Sequence, residues 1–170
     1  DYFGSEVDSL KNIYVVDLSG SLLEVARARV AERGWTNVQV AEADATTFRP
    51  ASGTADVVTF SYSLTMIPDW FAAIENACQM LRPGGLIGVV DFYVSRKFPH
   101  ADHRRHPWWT RTFWPTWFGR DNVCLSSEHV PFLHRHFRPV HFSEHRAKVP
   151  YLPLVRVPYY LFVGRKPETS

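Results

Sequence analysis

The apolar run Ile13-Tyr14-Val15-Val16, closed by the carboxylate of Asp17, is the feature that most constrains this chain. A short run rich in β-branched residues reads as a buried parallel strand whose C-terminal end presents an acid to solvent. The pattern recurs. Val38 to Glu42 alternates and ends near Asp44, Asp56 to Ser61 is a second buried run, and Leu86 to Val90 ends at Asp91. Helical stretches separate these runs. Ser19 and Ser21 are candidate N-caps for a helix through Arg33, with Leu22, Ala26 and Val30 four apart and Gly34 as its stop. Asp69 is the expected cap of a helix over Trp70 to Arg82, with Phe71, Ile74, Cys78 and Leu81 on one face, and Arg82-Pro83-Gly84-Gly85 breaks it. Strands alternating with helices predict an α/β fold, a mostly parallel sheet with right-handed crossovers.

From Phe92 the pattern dissolves into proline, histidine, arginine and tryptophan. Pro139 to Ser143 and Val157 to Val163 read as two late strands, which predicts an antiparallel hairpin at a sheet edge. We expect one domain over residues 1–170, with residues 92–136 as a basic, aromatic insertion or lid.

The net charge of +2 conceals an asymmetry. Residues 1–90 hold 6 Lys and Arg against 11 Asp and Glu, whereas residues 91–170 hold 13 against 6. All eight histidines lie at or after His100, and four of the six tryptophans lie between Trp108 and Trp117. The first part reads as a scaffold, the second as a surface suited to something anionic or interfacial. No run approaches the roughly 18–20 apolar residues of a membrane span. Cys78 and Cys124 lack metal-ligand spacing and fit buried or incidental thiols of a reducing compartment.

Asp17 stands where nucleotide-binding α/β folds place the acid that accepts ribose hydroxyls, a placement shared with nicotinamide enzymes. Asp44-Ala45 follows the next strand, where a short carboxylate can accept an adenine amine. Phe60-Ser61-Tyr62-Ser63-Leu64-Thr65-Met66-Ile67 leaves the third strand at the edge where such sheets bind ligands. Leu81-Arg82-Pro83-Gly84-Gly85 then leads into a strand and the terminal hairpin.

In this order the motifs resemble the class I S-adenosylmethionine-dependent methyltransferases, over essentially the whole chain. More narrowly, Phe60 to Trp70 (FSYSLTMIPDW) and Gly88 to Lys97 (GVVDFYVSRK) look like the methyltransferase part of betaine lipid synthase. So do Thr112-Phe-Trp-Pro115, Ala147 to Pro153 (AKVPYLP) and the ending Val157 to Lys166 (VPYYLFVGRK). The resemblance implies a Rossmann-like sheet, S-adenosyl-L-methionine as cofactor, and three methylations of the amine of a diacylglyceryl-homoserine lipid. It implies a fused or separate 3-amino-3-carboxypropyl transferase that supplies this lipid, and a cytoplasmic protein peripheral to a membrane (the endoplasmic reticulum in a eukaryote). The family's glycine-rich loop has no match here, so we expect an N-terminally truncated domain lacking the first βα unit.

By the same resemblance Asp17 takes the ribose hydroxyls, Leu18 lies against the adenine, and Asp44 and Ala45 meet its amino edge. Ser61 and Tyr62 line the passage between cofactor and acceptor. Tyr62, Asp91 and Tyr93 are the candidate catalytic groups, as proton acceptors directly or through water; tyrosine faces also favour a cationic product. Trp108, Trp109, Arg111 and Trp114 form a candidate substrate or membrane surface, with a lid or a core packed over the acceptor pocket as the alternative.

Other readings carry less. His100, His103 and His106 step by three, but flanking arginines and prolines oppose a metal site, and we expect none. No serine or cysteine has the glycine-flanked setting of a nucleophile. Basic aromatic stretches also bind single-stranded nucleic acid, but no recognition motif supports that here. The rival functions are a methyltransferase of another small molecule, a non-catalytic remnant that supports a lipid-synthase partner, and a nicotinamide oxidoreductase.

Overall fold

The computed structural model describes residues 4–99, 104–118, 124–149 and 152–168. The chain forms two compact units, Asp1–Pro50 and Ala51–Ser170.

The first unit holds α1 (Gly4–Ser9), β1 (Ile13–Asp17), α2 (Gly20–Arg33) and β2 (Val38–Glu42). β1 and β2 pair in parallel from Ile13 opposite Val38 to Asp17 opposite Glu42. Ser19 caps α2, its hydroxyl accepting the Leu22 N–H. Gly34 ends α2 at φ 67°, a left-handed conformation that costs a residue without a Cβ little. Leu23 is the fully buried side chain of α2, which packs on both strands. The strand bounds and cap are those the sequence predicts. Helix α1 carries no comparable periodicity and was not expected.

The second unit holds β3 (Ala55–Ser61), α3 (Trp70–Met80), β4 (Leu81–Phe92), α4 (Trp108–Phe118), α5 (His129–His136), β5 (Arg138–Val149) and β6 (Leu152–Arg165). The strand order is β3-β4-β6-β5. β3 and β4 are parallel, whereas β6 runs antiparallel to both β4 and β5. The α/β class, the parallel start and the C-terminal hairpin are as expected. No ladder among the described residues joins this sheet to β1-β2.

Three details differ from expectation. Asp69 makes no side-chain bond to α3. Arg82 to Gly85 does not merely stop the helix; it enters β4, with a register shift between Ala55 and Val57. Gly84 takes up φ 74°, and a Cβ on Gly85 would stand 2.9 Å from the Arg82 carbonyl oxygen. The late strands are also longer than predicted, one reaching Val149 and the other starting at Leu152.

The core of the second unit includes Ile74 and Ala77 of α3, Ile87 and Val89 of β4, Leu133 of α5, and Tyr160 and Phe162 of β6. α3 and α5 pack on one another and on the sheet. A further cluster joins Val94, Trp114, Leu125 and Val157. Trp114, for which the sequence left open a surface or a core position, is a core residue. The large ring shares this cluster with Val157, and its burial turns that part of α4 inward. No helix among the described residues is long and apolar enough to cross a membrane.

Candidate functional site

The strand ends of the first unit present two exposed carboxylates. Asp17 closes β1, and its Oδ1 accepts the Ser19 N–H at 2.8 Å. This bond orients the carboxylate at the entrance to α2 and leaves it in solvent. Leu18, beside it, is 68% exposed, an apolar surface that local packing does not explain. Asp44 follows β2. Its Oδ1 accepts both the backbone N–H and the hydroxyl of Thr46, each at 2.8 Å. These bonds hold its carboxyl below the ordinary aspartate value. Ala45 is half-buried next to it. Two exposed carboxylates and an exposed aliphatic surface are of the kinds that suit a ribose and an adenine. Asp17 would take hydroxyls, Leu18 a ring face, and Asp44 with Ala45 the amino edge.

The corresponding strand ends of the second unit differ. Ser61 ends β3 and is exposed. Tyr62 follows in a left-handed backbone at φ 52°, unusual for a bulky residue, with its N–H bonded to the Val90 carbonyl at 2.8 Å. Its ring packs 4.9 Å from Phe92 and stays 44% exposed. Partial burial, then Tyr159 and Asp91, push its phenol above the ordinary tyrosine value. Tyr62 therefore keeps its proton at neutral pH and offers an oxygen lone pair and a ring face.

Asp91 is fully buried. Its Oδ1 accepts the Thr65 hydroxyl and the Phe92 N–H, both at 2.8 Å, and its Oδ2 accepts the Thr65 N–H at 3.2 Å. Desolvation raises its carboxyl above the ordinary value, against the pull of those bonds. The group ties the 62–67 turn to the end of β4. Tyr93 is buried as well, its hydroxyl donating to Glu144. Of the three candidate catalytic residues, Tyr62 is thus the exposed one.

Sequence reading missed Glu144. It accepts from Tyr93 on one oxygen and from the Arg104 N–H, at 2.8 Å, on the other. Burial raises its carboxyl above the usual glutamate value. It helps line a cavity of about 520 Å³ together with Tyr93, Ser95, Arg96, Phe98 and Arg104. Residue 144 lies on a strand far along the chain, so no local signal links it to Tyr93. Arg96 also pairs with Glu128 at the surface.

His106 accepts the Ser95 N–H on Nδ1 at 3.0 Å and is buried, which lowers its imidazole to about 4. His100 and His103 lie outside the described residues. On α4, Trp108 and Trp109 are 73% and 56% exposed, Arg111 is half-buried and Trp114 is enclosed.

Residues 4–85 match the family model of the methyltransferase domain. The chain is 29% identical over 76 residues to a demethylmenaquinone methyltransferase of Lactococcus lactis, a match covering 45% of this chain and 30% of that protein. It is 28% identical over 91 residues to the ubiquinone/menaquinone biosynthesis C-methyltransferase of Francisella philomiragia, covering 53% of this chain and 36% of that one. The matches thus span about a third of the length of these curated relatives. Among solved structures, the N-methyltransferase NodS of Bradyrhizobium japonicum, bound to S-adenosyl-L-homocysteine, aligns with a TM-score of 0.69 at 16% identity. That alignment covers 98% of this chain and 72% of NodS. Strand order, the ordered motifs and the family match converge on one fold: the chain has the α/β fold of class I methyltransferases, and residues 4–85 carry its similarity to the methyltransferase domain, whose cofactor is S-adenosyl-L-methionine.

Proposed function

We propose that this chain is the methyltransferase part of an enzyme that N-methylates the amine of a homoserine-type lipid head group. The observation that carries this reading is the cavity beside Tyr93, which combines Arg96 and Arg104 with Glu144 and the aromatic rings of Tyr93 and Phe98. A homoserine head group carries a carboxylate and an amine. The arginines suit the first, and a carboxylate with aromatic faces suits the second and its methylated, cationic product. The strings shared with betaine lipid synthase favour the same substrate.

Bound S-adenosyl-L-methionine supplies an electrophilic methyl carbon on a sulfonium. Asp17, Leu18, Asp44 and Ala45 would hold its nucleoside end. The chain's task at the acceptor is to bring a neutral amine in line, which supplies much of the rate. The Tyr62 oxygen accepts an amine N–H and orients its lone pair; the proton of the ammonium passes to water. Asp91 acts by fixing the turn that carries Tyr62, and Tyr93 by orienting Glu144. A partner transferase that makes the lipid belongs to this reading.

A second reading has its own support. The curated relatives named above methylate carbon in quinone biosynthesis, and a quinone acceptor has no head-group charges to match. Labelled methyl transfer to diacylglyceryl-homoserine and to demethylmenaquinone, each with and without Glu144→Gln, separates the two. The proposal expects transfer to the homoserine lipid, reduced at least tenfold by Glu144→Gln. Transfer to the quinone alone, unaffected by Glu144→Gln, overturns it.

A further inference from the structure

We infer that α4 and the Phe98 segment form a docking face for an anionic lipid surface. Helix α4 buries Thr110 and Trp114, yet four of its other rings stay open to solvent. Trp108, Trp109, Phe113 and Trp117 are exposed by 73%, 56%, 40% and 46%, with Phe113 and Trp117 stacked at 5.7 Å. An amphipathic helix normally hides such residues; here the apolar load is on the outside. Phe98, 74% exposed, adds a fifth ring. Lys97 and Arg105 stand over it, at 5.5 and 5.6 Å from the ring centre.

Charge decides the occupant. Residues 92–118 contain five Lys and Arg against one acid, Asp102. Tryptophan beside cations suits the headgroup layer, where rings enter half-way and cations meet phosphates. A second copy of this chain would bring the same positive charge to the contact. The face also adjoins the candidate acceptor site, because Phe98 lines its cavity. The inference extends the lipid-substrate reading, and its test requires neither cofactor nor turnover.

The test is co-sedimentation of the purified chain with vesicles of phosphatidylcholine alone and of phosphatidylcholine with 30% phosphatidylglycerol (about a third anionic), with tryptophan emission read in parallel. Binding to the anionic vesicles with a blue shift is expected, weakening as salt rises. The double substitutions Trp108→Ser with Trp109→Ser, and Lys97→Glu with Arg105→Glu, are each expected to weaken binding at least tenfold. These side chains are exposed, and an unchanged circular dichroism spectrum confirms folding. Absence of vesicle binding by the folded chain, or binding indifferent to both double substitutions, overturns the inference. So does a dimer in light scattering that the tryptophan substitutions dissolve. Methyl transfer to a soluble homoserine analogue in the same preparation would leave the catalytic reading standing even then.

Discussion

Asp17 closes β1 and Asp91 stands one residue before the end of β4, yet the two units treat them oppositely. Asp17 stands in solvent, oriented by one backbone N–H and otherwise available to a ligand. Asp91 is enclosed, with Thr65 and Phe92 occupying both oxygens. The same residue type near the end of a strand is left open to solvent in one unit and made a clamp in the other. Solvent access makes the difference: an exposed carboxylate exchanges water for a ligand cheaply, whereas a buried one must keep the donors that offset its desolvation.

Substitutions can break this contrast, and α4 offers a parallel one. The largest effect is expected from Trp114→Ala, at about 3–5 kcal/mol lost in chemical denaturation, because it empties a core position. Trp108→Ala, on the open side of the same helix, should change stability by less than about 0.5 kcal/mol. A cost below about 1 kcal/mol for Trp114→Ala would mean that α4 is not packed as described.

Asp91→Ala should cost about 3 kcal/mol, since it strands the buried Thr65 donors. Asp17→Ala should leave stability within about 0.5 kcal/mol of the parent. In the protein that binds S-adenosylhomocysteine, it should weaken that binding by about 1.5–3 kcal/mol, read by calorimetry. Equal stability losses for the two would erase the distinction between clamp and ligand acceptor.

A pH-dependent effect, complete only in acid, comes from His129. It is fully buried against Trp70, neither ring nitrogen has a hydrogen-bond partner among the described residues, and burial lowers its imidazole from 6.5 to about 4. The unfolded chain binds this proton more readily, so the contribution is whole above pH 6.5 and is lost as pH falls from there toward 4. The full loss is on the order of 3 kcal/mol. His129→Phe should keep the packing and flatten the stability profile across that window. An unchanged slope would place the titration elsewhere.

Much of the fold is legible in the sequence where the signal is local. Ile13–Asp17 and Val38–Glu42 begin and end as their patterns predict, and Ser19 and Gly34 punctuate α2 as expected. The late hairpin is visible in outline, but its length is set by pairing with β4 rather than by its own residues. The candidate cofactor side is legible for the same local reason, since Asp17 and Asp44 anchor within two residues of themselves. The acceptor side is not. Glu144 reaches Tyr93 across 51 residues of sequence, and Asp91 reaches Thr65 across 26.

By itself the sequence determined the alternation of strands and helices, the exposed acids after β1 and β2, and the gathering of basic and aromatic residues after Phe92. Each follows from periodicity, capping or composition, which act over a few residues. Tertiary structure alone decided that Asp91 is a clamp, that Glu144 joins Tyr93, and that Trp114 turns inward while Trp108 and Trp109 turn outward. Burial depends on what the rest of the chain packs against a residue, and that is a property of the assembled core.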